Sequence, residues 1–291
     1  MKLEPECIGC LFNQVLKAFK LLDPDVSRER IIDAQKRLMK YLLTIDHRQK
    51  AAPIIGKTLY NIVAEMIGED DPYSNLKNKY NKLVLDIYDD IEKTISEAKD
   101  PLLEAILLSA LGNTIDFASQ HEINLLEDIK NFSVDNFKIN DYEKFRNSLN
   151  NFKEVLIIGD NAGEIVFDKA LISTLKSEYP DLRIIYSVRS APIINDATME
   201  DAEQVSLTKL VKVIETCPAP GIELETCTEE FLKYFYSKKN IVLSKGQGNF
   251  ESLYGIPLPD KEIYYLMKVK CNLMERIFNV KIGDLIFKKG N

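Results

Sequence analysis

Apolar residues recur at helical spacing through the first part of the chain, then give way to short apolar runs divided by polar turns. From Cys7 to Leu22, the residues Leu11, Val15, Ala18, Phe19 and Leu22 share one helical face. Ser27 is placed to cap a second helix that enters at Arg30, Ile31 and Ile32 and continues through Leu38, Tyr41 and Leu42. Pro53 to Gly68 predicts a third helix, ended by Gly68 and the acidic turn Glu69-Asp70-Asp71-Pro72. Tyr73 to Lys99 reads as one long amphipathic stretch, with Leu76, Tyr80, Leu83, Val84, Ile87, Ile91 and Ile95 on one face. Asp100-Pro101 opens a further helix that runs to about Phe117, because proline suits the first helical position. No strand is expected before about residue 150.

Beyond that point strand-like runs alternate with helical ones. The expected strands are Val155–Ile158, Arg183–Val188, Val211–Glu215, Ile241–Leu243 and Tyr264–Val269, and Val280 to Lys288 adds a terminal strand or hairpin. The expected helices are Ile165–Glu178, Thr228–Ser237 and Asn272–Phe278. Such alternation implies crossover connections and a largely parallel sheet. The fold class is therefore α/β: a helical N-terminal domain (1–125) followed by a three-layer α/β/α domain (126–291), with the boundary somewhere in 120–150.

Composition narrows the function classes. The chain has 291 residues, 45% hydrophobic and 29% charged, with a net charge of −7. That balance suits a globular protein and argues against a general nucleic-acid surface. An anionic substrate remains compatible, since a metal ion or local Lys and Arg can reverse the field. No apolar run approaches a membrane span, and Met1 to Cys7 lacks a signal-peptide core, so a cytoplasmic location is the default. Five Cys, an odd number, make a poor disulfide framework.

The candidate chemistry sits at strand ends. Gly159-Asp160-Asn161-Ala162-Gly163-Glu164 lies between the run ending at Ile158 and the helix beginning at Ile165. Ligands of open α/β sheets bind at such carboxyl ends, and the adjoining helix N-terminus offers free N–H groups suited to a phosphate. Asp160 and Asn161 offer hard oxygen ligands for Mg²⁺ or Mn²⁺; the alternative is a simple N-cap at a turn. No G-x-G-x-x-G loop is present. After the next strand, Asp196 is a second candidate carboxylate for the same ion and Arg189 a candidate anion clamp, against a turn built on Pro192 and Asn195. Ser244 to Glu251 follows another strand. There Gly246 and Gly248 let the backbone approach a ligand and Lys245 supplies a point charge, but the order is not that of a Walker A loop and an ordinary turn is the alternative. Asn113 and Asp116, three residues apart on the last N-terminal helix, either pack internally or face a cleft. Cys7 and Cys10 form a C-x-x-C without a second pair or a preceding strand, which leaves inert thiols ahead of zinc or redox chemistry.

Taken in order, Gly159 to Glu164, Arg189 to Asp196 and Lys245 to Asn249 resemble the damage-control phosphatases, first catalogued as domain of unknown function 89 (DUF89). Pro5 to Cys10 and Gly112 to Asp116 look like the Cys-containing prokaryotic branch, so the resemblance covers nearly the whole chain. It implies a helical domain joined to an α/β/α domain. It also implies a divalent-metal-dependent phosphatase (Mn, Mg, Co or Ni) acting on small phosphorylated metabolites such as sugar phosphates or damaged cofactor intermediates. By motif match Asp160, Asn161 and Asp196 would hold the metal and Lys245 would contact the phosphate. Asn113, Asp116, Glu164, Arg189, Gly246 and Asn249 would line the cleft. Metal-activated water and an Asp160 nucleophile are the rival mechanisms. An S-adenosylmethionine-dependent carboxyl methyltransferase and a non-enzymatic metabolite-binding protein are the rival functions. The residues favour neither, and no methyltransferase glycine loop follows the first α/β strand.

Overall fold

The computed structural model describes residues 1–112, 127, 129 and 133–290. Helices α1 (Pro5–Leu22), α2 (Arg28–Leu42) and α3 (Ala52–Ile67) come first. The side chain of Ser27 accepts from the Arg30 N–H, as expected of a cap, and Gly68 ends α3 in the left-handed region at φ 90°. These helices bury a core of their own around Phe19, Leu38, Ile55, Leu59 and Val63. The long amphipathic stretch forms two helices, α4 (Ser74–Leu85) and α5 (Tyr88–Glu97), broken at Asp86-Ile87. The apolar stripe crosses the break, but the partners change. α4 rests on α8 (Glu164–Glu178) and α9 (Met199–Gln204), whereas α5 rests on α6 (Pro101–Gly112) and α8.

The sheet has seven strands in the order β1-β7-β6-β5-β2-β3-β4. They are β1 (Phe137–Asn140), β2 (Glu154–Ile158), β3 (Arg183–Val188), β4 (Lys212–Glu215), β5 (Asn240–Lys245), β6 (Glu262–Lys268) and β7 (Leu285–Lys289). All pairings are parallel except β6 with β7. β1 corrects the expectation of no strand before 150. Its four residues read Phe-Lys-Ile-Asn, too short for a pattern to show, and its parallel partner β7 comes from the far end of the chain. Further α-helices among the described residues are α7 (Tyr142–Asn151), α10 (Glu229–Phe235), α11 (Gln247–Leu253) and α12 (Asn272–Phe278).

Strand alternation explains the layers. Val155, Ile157, Tyr186, Leu243 and Tyr264 face a core shared with α5, α6, α7 and α8. Leu156, Ile158, Ile185, Val242 and Met267 face the opposite core with α10, α11 and α12. The fold is thus the expected three-layer α/β/α class with a mostly parallel sheet. The chain leaves β2 toward β3 and β4, then returns to lay β5 on β2's other side. The strand order reverses between β2 and β5, and a crevice at such a point is where ligands of open α/β sheets bind.

Candidate functional site

Both motifs at the reversal sit at strand ends. β2 runs into Gly159-Asp160-Asn161, and β5 ends at Lys245 with Gly246 behind it. Gly246 has φ 79°, and a Cβ there would fall within the Asp160 carboxylate, so glycine is required for the two loops to meet. The third loop joins through the backbone. Ala197 N–H donates to the Asp160 carbonyl at 2.8 Å, Arg189 N–H to the Ala197 carbonyl at 2.9 Å, and Asn161 pairs with Asp196 in an isolated bridge. Asp160, Asn161 and Asp196 are therefore brought together from two strand-end loops.

Arg189 is buried beneath them. Its Nε donates to Asp196 Oδ2 at 2.7 Å and its Nη2 to Asn249 Oδ1 at 2.9 Å, while Nη2 also lies 4.0 Å from Asp160 Oδ1. Asn249 is buried too, and its Nδ2 donates to the carbonyls of Gly159 and Lys245. Asn249 thereby ties the ends of β2 and β5 to Arg189. Lys245 is completely enclosed: its Nζ pairs with Glu164 Oε1 at 2.6 Å and with Asp168, and donates to the Ser109 carbonyl at 3.1 Å. Asp168 also accepts from Ser109 Oγ and Tyr186 Oη, each at 2.7 Å. Asn161 Nδ2 reaches Asp160 Oδ2 at 3.0 Å and Glu164 Oε2 at 3.3 Å, linking this inner cluster to the outer pair.

The charges do not cancel. Asp160, Glu164, Asp168 and Asp196 are four carboxylates against the two cations Arg189 and Lys245, an excess of two negative charges when all are ionised. The consequence falls on Asp160. Burial first, then the nearby Glu164 and Asp196, push its carboxyl up to about 7. Burial likewise raises Asp196 although Arg189 opposes it, and raises Asp168 although Lys245 opposes it. Burial alone would lower Lys245, but Asp168 and Glu164 outweigh it and hold the ammonium charged.

These donors fit a divalent cation. Among the described residues no three His, Cys, Asp or Glu side chains form a ready metal cage. Two carboxylates and an amide oxygen are instead a sparse hard-oxygen set, of the kind used by ions that keep waters and take phosphate oxygens. The two uncompensated charges match such an ion.

Several participants escaped the sequence reading. Asn81 on α4 is buried; its Oδ1 accepts from the Gly163 N–H at 2.7 Å and its Nδ2 donates to Asp201 at 2.9 Å. The Ala162 N–H donates to the Asn195 carbonyl at 2.8 Å. Two N–H groups expected to be free for a phosphate at the start of α8 are therefore already taken. Lys77, also buried, pairs with Asp71 at 2.8 Å and Asp201 at 3.3 Å. Asn81 and Lys77 lie beside the apolar stripe of α4, and their only sequence signal is polarity one step off that stripe. α6 closes against the site at Gly112, where an added Cβ would lie 2.9 Å from Glu164 Cγ. Asn113 and Asp116 follow it and lie outside the described residues. Cys7, Cys10, Cys217, Cys227 and Cys271 are all free thiols.

The fold and site thus define an α/β protein with a cluster of four carboxylates and two cations at a reversal of strand order. The family model described as the damage-control phosphatase ARMT1-like domain matches residues 3–286, so the chain belongs to that family. It is 34% identical to an uncharacterized protein of Methanocaldococcus jannaschii, over 99% of this chain and 96% of the other. It is 32% identical to a damage-control phosphatase of Pyrococcus horikoshii, over 98% of this chain and 97% of that one. A crystal structure of a DUF89 family protein from Pyrococcus horikoshii superposes with a TM-score of 0.88 at 28% identity, covering 100% of both chains. No helix among the described residues is long and apolar enough to cross a membrane.

Proposed function

We propose that this protein is a divalent-metal-dependent phosphatase that hydrolyses small phosphorylated metabolites. The observation that carries this reading is the excess of two negative charges at the strand reversal, which leaves Asp160 poised near neutrality in the absence of a cation. Asp160, Asn161 and Asp196 would hold the ion. When bound there, a divalent cation supplies polarisation of the phosphoryl oxygens and orientation of the attacking water. The chain's own residues do the positioning. Arg189 fixes the Asp196 carboxylate through Nε, and Asn249 fixes Arg189. Lys245 sets the orientation of Glu164, whose Oε2 receives a hydrogen bond from Asn161 Nδ2, which leaves the Asn161 side-chain oxygen as its ligand atom. The helical part, read as residues 1–125, walls the site through Asn81 on α4 and Ser109 on α6.

The test is phosphate release from a panel of sugar and nucleotide phosphates after metal stripping, with Mg²⁺, Mn²⁺, Co²⁺ or Ni²⁺ restored. The expected result is metal-dependent release that disappears in Asp160→Ala while that variant remains folded. No release from any member with any of the four ions refutes the reading.

A further inference from the structure

Cys217 and Cys227 stand beside the site, and nothing in the hydrolytic chemistry uses them. Cys217 lies just past β4, and Cys227 precedes Thr228, the residue that caps α10. Thr228 draws the two segments together: its N–H donates to the Thr216 carbonyl at 2.9 Å and its Oγ1 to the Glu215 carbonyl. Cys227 packs against Cys217, and the two thiols share a hydrogen bond. Thiols already in contact can close to a disulfide with little main-chain movement.

Their surroundings favour a thiolate. The hydrogen bond from Cys227 first, then the buried charge of Arg189 and the Glu223 N–H, bring the Cys217 thiol down to about 6 although burial opposes them. The same bond raises Cys227, so the pair holds one proton between two sulfurs. The Glu223 carboxylate opposes this charge, but Lys50 and Lys57 pair with it at 3.6 and 3.5 Å. Cys217 is buried and Cys227 half-buried, so Cys227 is the sulfur that solvent reaches.

The segment between the two cysteines touches the site. The Gly221 carbonyl accepts from Arg189 Nη1 at 3.3 Å and lies 3.2 Å from Cys217 Sγ. The Ile222 N–H donates to Ser252 Oγ on α11 at 2.8 Å. Arg189 holds Asp196, and the charge of Cys217 acts on Arg189 more strongly than that of Asp160.

We propose that Cys217 and Cys227 form a redox-active dithiol, closed to a disulfide by hydroperoxides, whose closing weakens the hold of the adjoining site on its divalent ion. The effect on the ion rests on the phosphatase reading; the disulfide does not. With the shared proton on Cys217, the Cys227 sulfur attacks the hydroperoxide and the O–O bond breaks. The departing oxygen takes the proton from Cys217, and Cys227 becomes a sulfenic acid. The Cys217 thiolate then displaces hydroxide from the Cys227 sulfur, and the hydroxide leaves as water with a proton from solvent. The two sulfurs lose two electrons and the peroxide gains them. Closing removes the thiolate that offsets Arg189, whose charge then bears more fully on Asp196 and Asp160 and competes there with a cation.

The test uses the full chain, reduced and metal-free, with and without hydrogen peroxide treatment. Peptide mapping locates any disulfide, and calorimetry at pH 8 measures Mn²⁺ affinity. The expected result is a Cys217–Cys227 crosslink that weakens Mn²⁺ binding by roughly threefold or more, the size of effect expected when a nearby unit charge is removed, and that reduction reverses. Cys227→Ser, checked by thermal melting, should show neither the crosslink nor the loss of affinity. The double variant Cys7→Ser, Cys10→Ser should show both. Peroxide that yields a Cys7–Cys10 disulfide or a sulfinic acid at Cys227 in place of the crosslink would overturn the proposal. A crosslink with unchanged Mn²⁺ affinity would overturn the control of the site and leave the metal reading intact. A reduced wild type that binds no Mn²⁺ would overturn the metal reading and the effect on the ion together, while the mapped crosslink still decides the redox chemistry.

Discussion

Replacing Lys245 by Met separates an internal role for this lysine from a phosphate-contacting one. The side chain is wholly buried, and its ammonium sits between Glu164 and Asp168. Methionine nearly preserves the stem's volume, so the packing loss is small and the electrostatic loss dominates. Breaking a buried pair by removing one partner costs about 3–5 kcal/mol. Asp168 keeps its donors Ser109 and Tyr186, which places the expectation near the lower end of that range. For a chain of this size the melting temperature should fall by on the order of 10 °C. The pH dependence gives the sign. Burial already raises the Asp168 carboxyl, and without Lys245 the charge that opposes this rise is gone. The penalty is absent below the unfolded values near 4, grows as pH rises, and is complete above the raised folded values. The gap between wild type and variant should therefore be wider at pH 8 than at pH 5. The assay is calorimetric melting of both proteins at the two pH values, with and without Mg²⁺. A melting temperature unchanged within about 2 °C, together with a raised KM, would refute the internal role.

The remaining expectations concern Asp160. Asp160→Asn should stabilise the metal-free protein at pH 8, because a carboxyl raised to about 7 costs stability that grows from its unfolded value upward; chemical denaturation should show the gain shrinking toward pH 4, and equal stability at pH 8 would contradict it. Mg²⁺ or Mn²⁺ must displace the Asp160 proton, so calorimetric affinity should be flat above about pH 7 and fall roughly tenfold per unit below it. An affinity independent of pH between about 5 and 7 would remove Asp160 from the ligand set.

How much could be read in the sequence depended on how local each cause was. Val155–Ile158 is recognisable because a fully buried parallel strand is a continuous apolar run, and Ser27, Gly68 and Pro101 mark helix ends through their own capping chemistry. The split of α4 from α5 was hidden because it follows from a change of packing partner. α11 was hidden because Gly246, Gly248 and Asn249 read as a turn. Gly246 alone turns the chain, and Asn249 is buried in the helix that follows, bonded to the Gly159 and Lys245 carbonyls. At the candidate site, Asp160, Asn161 and Asp196 are legible as two acids and an amide in loops that follow strands. The burial of Lys245 and Arg189, and the arrival of Asn81, depend on elements far apart in sequence and carry no local mark.

The bond between Asn81 and Gly163, and the pairing of Lys77 with Asp201, also bear on how the chain is made. Lys77 and Asp201 are 124 residues apart, and Ser109 and Lys245 are 136 apart. During synthesis α4 and α6 leave the ribosome with an asparagine and a serine whose partners come later in the chain, and with a lysine that has Asp71 but not yet Asp201. Their burial must wait for β3, β5 and the loops after them, so closure of the wall over the site comes late. A nascent chain halted before Lys245 would hold Glu164 and Asp168 without their cation, and would remain open to proteases until roughly the last sixth of the protein was made.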